Sequence, residues 1–127
     1  MSFVVEVDRR FQVRPGLASP VRARSGQPLL EPGGAVELTV TVGVAFEDDQ
    51  LDHLGRYFDT DAAAGQVDLA CADLAAHTWT ELFDFRPTFE LVARHLYERL
   101  APGIPQLTFV QLHDETFGSR TRYRPRF

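Results

Sequence analysis

The sequence predicts an α+β domain built on a four-stranded antiparallel sheet, with two helices between strands 2 and 3. Strand-like alternation of apolar and polar residues occurs towards both ends of the chain, whereas apolar residues recur at helical spacing only in the middle. Of the 127 residues, 44% are hydrophobic and 24% are charged. This composition predicts one globular domain spanning 1–127.

The first strand is predicted to be bent or bulged in its middle. Residues 3–7 and 11–13 alternate, but the charged residues 8–10 separate them. A long loop rich in Pro, Gly, Ser and Arg follows at about 15–35 and includes several arginines near Arg14. Loops of such length are usually functional or disordered. The loop is therefore either a lid over an anionic ligand or a solvated arm.

The second strand is predicted from its alternation of apolar and polar residues, and the first helix from the residues that can cap it. Residues 36–46 alternate strictly, which indicates a strand with one buried face. Asp59 and Thr60 are suited to cap a helix that continues through Gly65. His77 follows the end of this helix. It is a candidate for proton transfer, although a lone histidine beside a helix is more often structural.

Residues 86–116 carry the second helix, a turn and the third strand. Thr88 is a predicted N-cap, and the Ala-Pro-Gly sequence at 101–103 stops the helix. The apolar stretch Leu107–Asp114 predicts a strand, so Glu115 is expected at the end of a sheet. A fourth strand is predicted at 118–123.

Arginines alternate along the last strand, at Arg120, Arg122, Arg124 and Arg126. The alternation places their guanidinium groups on one face. Such a row binds phosphate or carboxylate groups, or it keeps an edge strand soluble. Both interpretations stay open at this stage.

Composition and spacing exclude several classes of function. A formal net charge of -5 disfavours nucleic-acid binding, and no segment resembles a signal peptide or a transmembrane helix, so we expect a cytoplasmic protein. Cys71 is the single cysteine, which excludes an internal disulfide. The four histidines show no metal-ligand spacing. We therefore expect no metal and no cofactor.

The chain resembles the 6-pyruvoyl-tetrahydropterin synthase and 6-carboxytetrahydropterin synthase family. The resemblance is carried by residues 87–105 with the strand that follows, by Glu115 and Thr116, and by Tyr123 eight residues after Glu115. Residues 55–59 are similar to the segment before the family's first helix. His77 falls where the family has a Leu-Asp-His catalytic segment.

The resemblance implies a tunnelling fold that assembles through its sheet edges into homo-oligomers, either trimers or hexamers. It also implies an active site between subunits, where Glu115 binds the amino-amide edge of a pterin-like ring and the Thr88 segment lines the pocket. A carboxylate can accept two parallel N–H bonds in one plane.

The sequence departs from the family where the metal and the catalytic groups belong. Family members bind zinc through one histidine after the first strand and a His-Gly-His at the start of the second, but residues 12–15 and 31–34 contain no histidine. The family's cysteine is missing from the loop, and Ala76 occupies the position of the catalytic aspartate. These changes favour a chemistry that does not use zinc.

The leading hypothesis is a metal-independent lyase, cyclase or isomerase acting on a pterin-like or other planar nitrogenous substrate. His77 is its predicted catalytic residue. The predicted substrate-binding residues are Glu115, Thr88, Thr116, Arg14 and Arg120.

Two other readings remain. One is a non-catalytic oligomeric protein that binds a ligand or supports assembly on the same scaffold. The other is a protein that keeps zinc through unfamiliar ligands such as His113 and Asp114.

The position of the anchoring carboxylate has two alternatives. The spacing from Pro105 is one residue longer than the family pattern, so either Glu115 or Asp114 holds the anchoring position.

Overall fold

The computed structural model describes residues 2–16, 35–51 and 58–125. Predictions for most of the loop at about 15–35, for residues 55–57 and for Arg126 therefore lie outside the described residues. No helix within the described ranges is long and apolar enough to cross a membrane.

The predicted α+β order is confirmed, with one helix more than expected. The elements are β1 (Ser2–Val13), β2 (Val36–Glu47), a 3₁₀ turn (Asp48–Gln50), α1 (Thr60–Ala76), α2 (Trp79–Leu82), α3 (Phe89–Leu100), β3 (Leu107–Asp114) and β4 (Ser119–Tyr123). The extra helix, α2, has four residues, which is too short to show a helical repeat in the sequence. β4 begins one residue after the predicted start because Gly118 has a positive φ of 85° in the preceding turn.

The four strands form one antiparallel sheet in the order β1-β2-β3-β4. The bulge that was one of the two alternatives predicted for β1 is wrong, because β1 pairs with β2 without a register shift over its whole length. The charged residues alternate between the two faces. Asp8 accepts a hydrogen bond from Thr41 at 2.6 Å on one face, and Arg9 forms a two-point ion pair with Asp68 of α1 on the other. The register irregularity lies instead between β2 and β3, beside Gly43.

Side-chain caps begin the two longer helices as the sequence predicts. Asp59 Oδ1 accepts hydrogen bonds from two backbone N–H groups at the start of α1, each at 3.0 Å. Thr88 Oγ1 accepts the N–H of Leu91 at 3.3 Å at the start of α3. These bonds satisfy donors that have no partner within the helix itself.

The core lies between one face of the sheet and the helices. β2 supplies every second residue to it: Val36, Leu38, Val40, Val42, Val44 and Phe46. Trp79 of α2 is fully buried, and its indole N–H donates to the carbonyl of Leu74 at 3.0 Å. α1 packs against β1, and α3 packs against β3 and β4. The helices of the described ranges therefore cover one face of the sheet, and we call the opposite face the helix-free face.

One aromatic residue is buried on the helix-free face. Phe109 is 3% exposed and pairs with Gly43, and the guanidinium of Arg122 lies 3.9 Å from the centre of its ring. A Cβ atom at position 43 would collide with this ring. Glycine at this position therefore lets an aromatic ring lie flat on a neighbouring strand.

Gly43→Ala is expected to lower the free energy of unfolding by about 1–3 kcal/mol, since the added methyl group forces the Phe109 ring or the strand to move. Urea denaturation of the purified protein measures this change.

The double variant supplies the control. In a Phe109→Ala background the obstruction is gone, so Gly43→Ala should be nearly neutral there. An equal loss of stability in both backgrounds would show that the ring is not what excludes a side chain at position 43.

Candidate functional site

Four side chains from three strands meet on the helix-free face at the end of β3. They are Arg10 of β1, Thr39 of β2, His113 of β3 and Glu115, and we call them the Glu115 cluster. The register explains their meeting, because Thr39 is paired with Arg10 on one side and with His113 on the other. The backbone N–H of Glu115 donates to the carbonyl of Glu37 at 2.8 Å, which extends the pairing past the end of β3.

The contacts within the Glu115 cluster all involve one carboxylate oxygen. Thr39 Oγ1 donates to Glu115 Oε1 at 2.9 Å, His113 Nδ1 lies 3.0 Å from the same oxygen, and Arg10 Nη2 lies 3.6 Å from it. Among the described residues, none forms a hydrogen bond or an ion pair with Oε2. The Glu115 side chain is 31% exposed. The carboxylate is thus held through Oε1 and has Oε2 available as an acceptor.

The surroundings of Glu115 favour its ionised form. The hydrogen bond from Thr39 lowers the pKa of Glu115, and His113 and Arg10 lower it further, against a smaller opposing effect of desolvation. Glu115 is therefore a carboxylate at neutral pH, which is the form that accepts N–H donors from a ligand.

Asp114 has a structural role in the turn that follows β3. It is 4% exposed, and its Oδ1 accepts the backbone N–H groups of Thr116 at 3.0 Å and Phe117 at 2.9 Å. Its carbonyl accepts the N–H of Gly118 at 2.7 Å. Of the two adjacent carboxylates, Glu115 is the one that a ligand can reach.

Of the four other predicted binding residues, Thr116 and Arg120 lie near Glu115, Thr88 does not, and Arg14 belongs to the group around His77. Thr116 Oγ1 accepts the backbone N–H of Glu37 at 3.0 Å, next to the Glu115 cluster. Arg120 is paired with His113 across β3 and β4 and is exposed, so it borders the cluster. The Thr88 hydroxyl instead caps α3, on the helix-covered side of the sheet.

His77 and Arg14 lie near each other, where α1 is followed by α2. Arg14 forms a parallel bridge with Thr78, and its carbonyl accepts the N–H of Trp79 at 2.9 Å. His77 is exposed at the C-terminal end of α1. In the part of the chain that the structure describes, no hydrogen bond or ion pair joins His77 to Glu115. Within those residues the two predicted groups are therefore not in direct contact.

Sequence reasoning missed most of the Glu115 cluster. It treated residues 8–10 as an interruption of β1, so the outward position of Arg10 was not recognised. It considered His113 only as a metal ligand together with Asp114. The signal that identifies the cluster is the relative register of three strands, which alternation within each strand does not reveal.

Two further groups lie on the helix-covered side. A cleft of about 210 Å³ has His95, Arg99 and Phe83 among its lining residues, and burial, reinforced by Arg99, lowers the pKa of His95. Burial raises the pKa of the Cys71 thiol to about 12, so Cys71 is not a nucleophile at neutral pH. The cleft contains none of the predicted site residues.

The described residues do not fit the zinc centre that the resemblance implies. Near the end of β1 and the start of β2, the amide nitrogen of Gln12 lies 3.5 Å from a carboxylate oxygen of Glu37. No group of three or more His, Cys, Asp or Glu side chains in the described ranges could hold a metal ion. His113 and Asp114 are consecutive in a strand, so their side chains point to opposite faces.

Thr39→Val should raise the pKa of Glu115, because it removes the largest interaction that favours the carboxylate. Since the folded-state pKa lies below the ordinary value, the stabilisation from this group is present above that value and is lost as the pH falls through the folded-state pKa. A ¹³C NMR titration of the Glu115 carboxyl measures the shift.

Thr121→Val is the matched control, because Thr121 lies in the same sheet and pairs with the buried Leu112 rather than with the Glu115 cluster. An unchanged Glu115 pKa in Thr39→Val would contradict the hydrogen bond as the main cause.

Comparison with known proteins supports the fold. No protein-family model matches the chain, and no curated protein sequence matches it. Among solved structures, the chain is similar to 6-pyruvoyl tetrahydropterin synthase from Caenorhabditis elegans, with a TM-score of 0.70 and 14% sequence identity. The similarity covers 99% of this chain and 97% of the other. At this identity the two proteins share a fold, and the expected four-stranded α+β architecture is confirmed.

Proposed function

We propose that this protein is a metal-independent enzyme of the lyase or cyclase type that acts on a pterin-like or other planar nitrogenous substrate. The observation that carries the proposal is the Glu115 carboxylate at the end of β3, which is held through Oε1 on a side chain that is 31% exposed. Full-length similarity to the fold of a pterin synthase supports the choice of substrate class.

The geometry of Glu115 suits a planar ligand with adjacent N–H groups. Oε2 accepts one donor without any rearrangement of the chain. A second donor fits the other acceptor site of Oε2, because Oε1 is already contacted by Thr39 at 2.9 Å and by His113 at 3.0 Å. Two N–H bonds to one carboxylate fix the plane of the ring as well as its position. Thr116 and the exposed Arg120 border this position and complete the proposed binding surface.

The proposed catalytic residue is His77, with Arg14 beside it. No hydrogen bond or ion pair joins these residues to Glu115 within the described part of the chain, and we place the reaction between subunits of a homo-oligomer, a trimer or a hexamer. β1 and β4 are the edges of the sheet, and unpaired edges are the surfaces through which sheets of separate chains join. A second copy could then bring its His77 to the Glu115 of the first.

Glu115→Gln is expected to weaken binding of a pterin by about tenfold or more, because it replaces a charged acceptor with a neutral amide whose nitrogen cannot accept. Isothermal titration calorimetry with 7,8-dihydroneopterin measures the change. Glu98→Gln is the control, since it makes the same chemical change on an exposed position of α3.

Unchanged affinity in Glu115→Gln would overturn the proposed anchor. Dialysis against EDTA should leave the affinity of the unmodified protein unchanged, and elemental analysis should find no stoichiometric zinc. Stoichiometric zinc whose removal abolishes binding would contradict the metal-independent proposal.

A second candidate is a ligand-binding or assembly protein without catalytic activity. The residue before His77 is Ala76, so the imidazole lacks an adjacent carboxylate of the kind that orients catalytic histidines. This observation favours binding without turnover.

Turnover of 7,8-dihydroneopterin followed by liquid chromatography distinguishes the two candidates. The enzyme proposal predicts turnover that His77→Ala reduces by about 100-fold or more, as expected for loss of an acid-base group. His95→Ala is the control on another helix. Tight, Glu115-dependent binding with no turnover would instead establish the non-catalytic protein.

A further inference from the structure

We propose that His113 and Glu115 form a proton-transfer dyad within a single chain, in which Nε2 of His113 exchanges a proton with the ligand that Glu115 binds. The choice of ligand rests on the proposed function. The dyad itself rests on the geometry of the helix-free face, and it gives a role to a histidine that the proposed function does not use.

The first step is the tautomer of the imidazole. His113 Nδ1 lies 3.0 Å from Glu115 Oε1, a distance at which an N–H group can donate to oxygen. An ionised carboxylate only accepts, so the neutral imidazole is favoured with its proton on Nδ1. The lone pair is then on Nε2, which is the atom available to take a proton from a ligand.

The second step is the support of the carboxylate. Thr39 Oγ1 donates to the same oxygen at 2.9 Å, and Arg10 lies 3.6 Å from it. The carboxylate that orients the imidazole is therefore itself held by groups from two other strands. A side chain held by such neighbours keeps its geometry better than one in a loop. His77, by contrast, has no carboxylate beside it in the sequence.

The third step is access to Nε2. Among the described residues, no hydrogen bond or ion pair involves this nitrogen. The His113 side chain is 18% exposed, and it lies on the face that α1, α2 and α3 leave uncovered. A ligand anchored at Glu115 Oε2 is bound to the same carboxylate that touches His113, so the imidazole and the ligand are held close together.

Charged residues lie near the dyad on each of the other three strands of the sheet. Arg10 stands on β1, Glu37 on β2 and Arg120 on β4. When Nε2 takes a proton, the imidazolium is stabilised by the adjacent Glu115 carboxylate, as in other carboxylate–histidine pairs. The proton comes from a C–H or O–H bond of the ligand and returns to another atom of the same ligand. The net reaction is an isomerisation of the ligand, which needs no oxidant, reductant or other reactant.

The tautomer is tested first, in the protein without ligand. A ¹⁵N NMR spectrum of the histidine side chains, recorded at a pH high enough for the imidazoles to be neutral, should show His113 protonated on Nδ1 and unprotonated on Nε2. Glu115→Ala, which removes the acceptor altogether, should remove this preference and leave the signals of His95 unchanged. A neutral imidazole with its proton on Nε2 in the unmodified protein would overturn the dyad, whatever the ligand proves to be.

Proton exchange is tested second, with 7,8-dihydroneopterin in D₂O. Mass spectrometry should detect deuterium incorporated at a carbon of its side chain. His113→Gln should slow incorporation by about 100-fold or more, whereas His95→Gln should leave the rate unchanged. Exchange measures proton removal alone, so it reports on the dyad even if a later step of the reaction depends on His77.

The outcomes separate the two proposals. Glu115-dependent binding with no exchange, or with exchange that His113→Gln does not slow, overturns the dyad and leaves the anchoring role of Glu115 intact. Absence of binding overturns the proposed function and, with it, the catalytic role of His113. Binding, exchange and their loss in the respective variants support both proposals.

Discussion

The continuous pairing of β2 with both of its neighbours is the constraint on which the rest of the structure depends. Strand alternation sends every second residue of β2 into the core, so its other residues must stand on the helix-free face. A slip of one residue in either pairing would exchange the two faces. The same register that buries Leu38 and Val40 therefore brings Thr39 between Arg10 and His113.

Within this register, the residues at the end of β3 form the candidate site. Asp114 satisfies two backbone N–H groups of the following turn, and the Glu115 N–H continues the pairing with β2. These backbone bonds fix where the Glu115 side chain begins, and Thr39 and His113 fix where its carboxylate lies. A turn that serves the fold thus also positions the group proposed to bind the ligand, which is why Asp114 and Glu115 have different roles although they are adjacent.

Much of the fold was predictable from the sequence because its strands and helices depend on patterns among neighbouring residues. Alternation in β2 and the caps at Asp59 and Thr88 each depend on a few neighbouring residues, and the structure confirms them. The error in β1 came from reading charged residues as an interruption, when Arg9 has a partner on α1 that is distant in sequence. The Glu115 cluster was only partly predictable for the same reason, since it is made by pairing between strands.

The central claim is that Glu115, held by its neighbours on the helix-free face, is the group that receives the ligand. The most direct test is a ¹³C NMR spectrum of the glutamate side-chain carboxyls recorded while 7,8-dihydroneopterin is added. The Glu115 signal should move in proportion to the bound fraction, while the signal of Glu98 on the helix-covered side stays in place. Bound ligand with an unmoved Glu115 signal would contradict the claim.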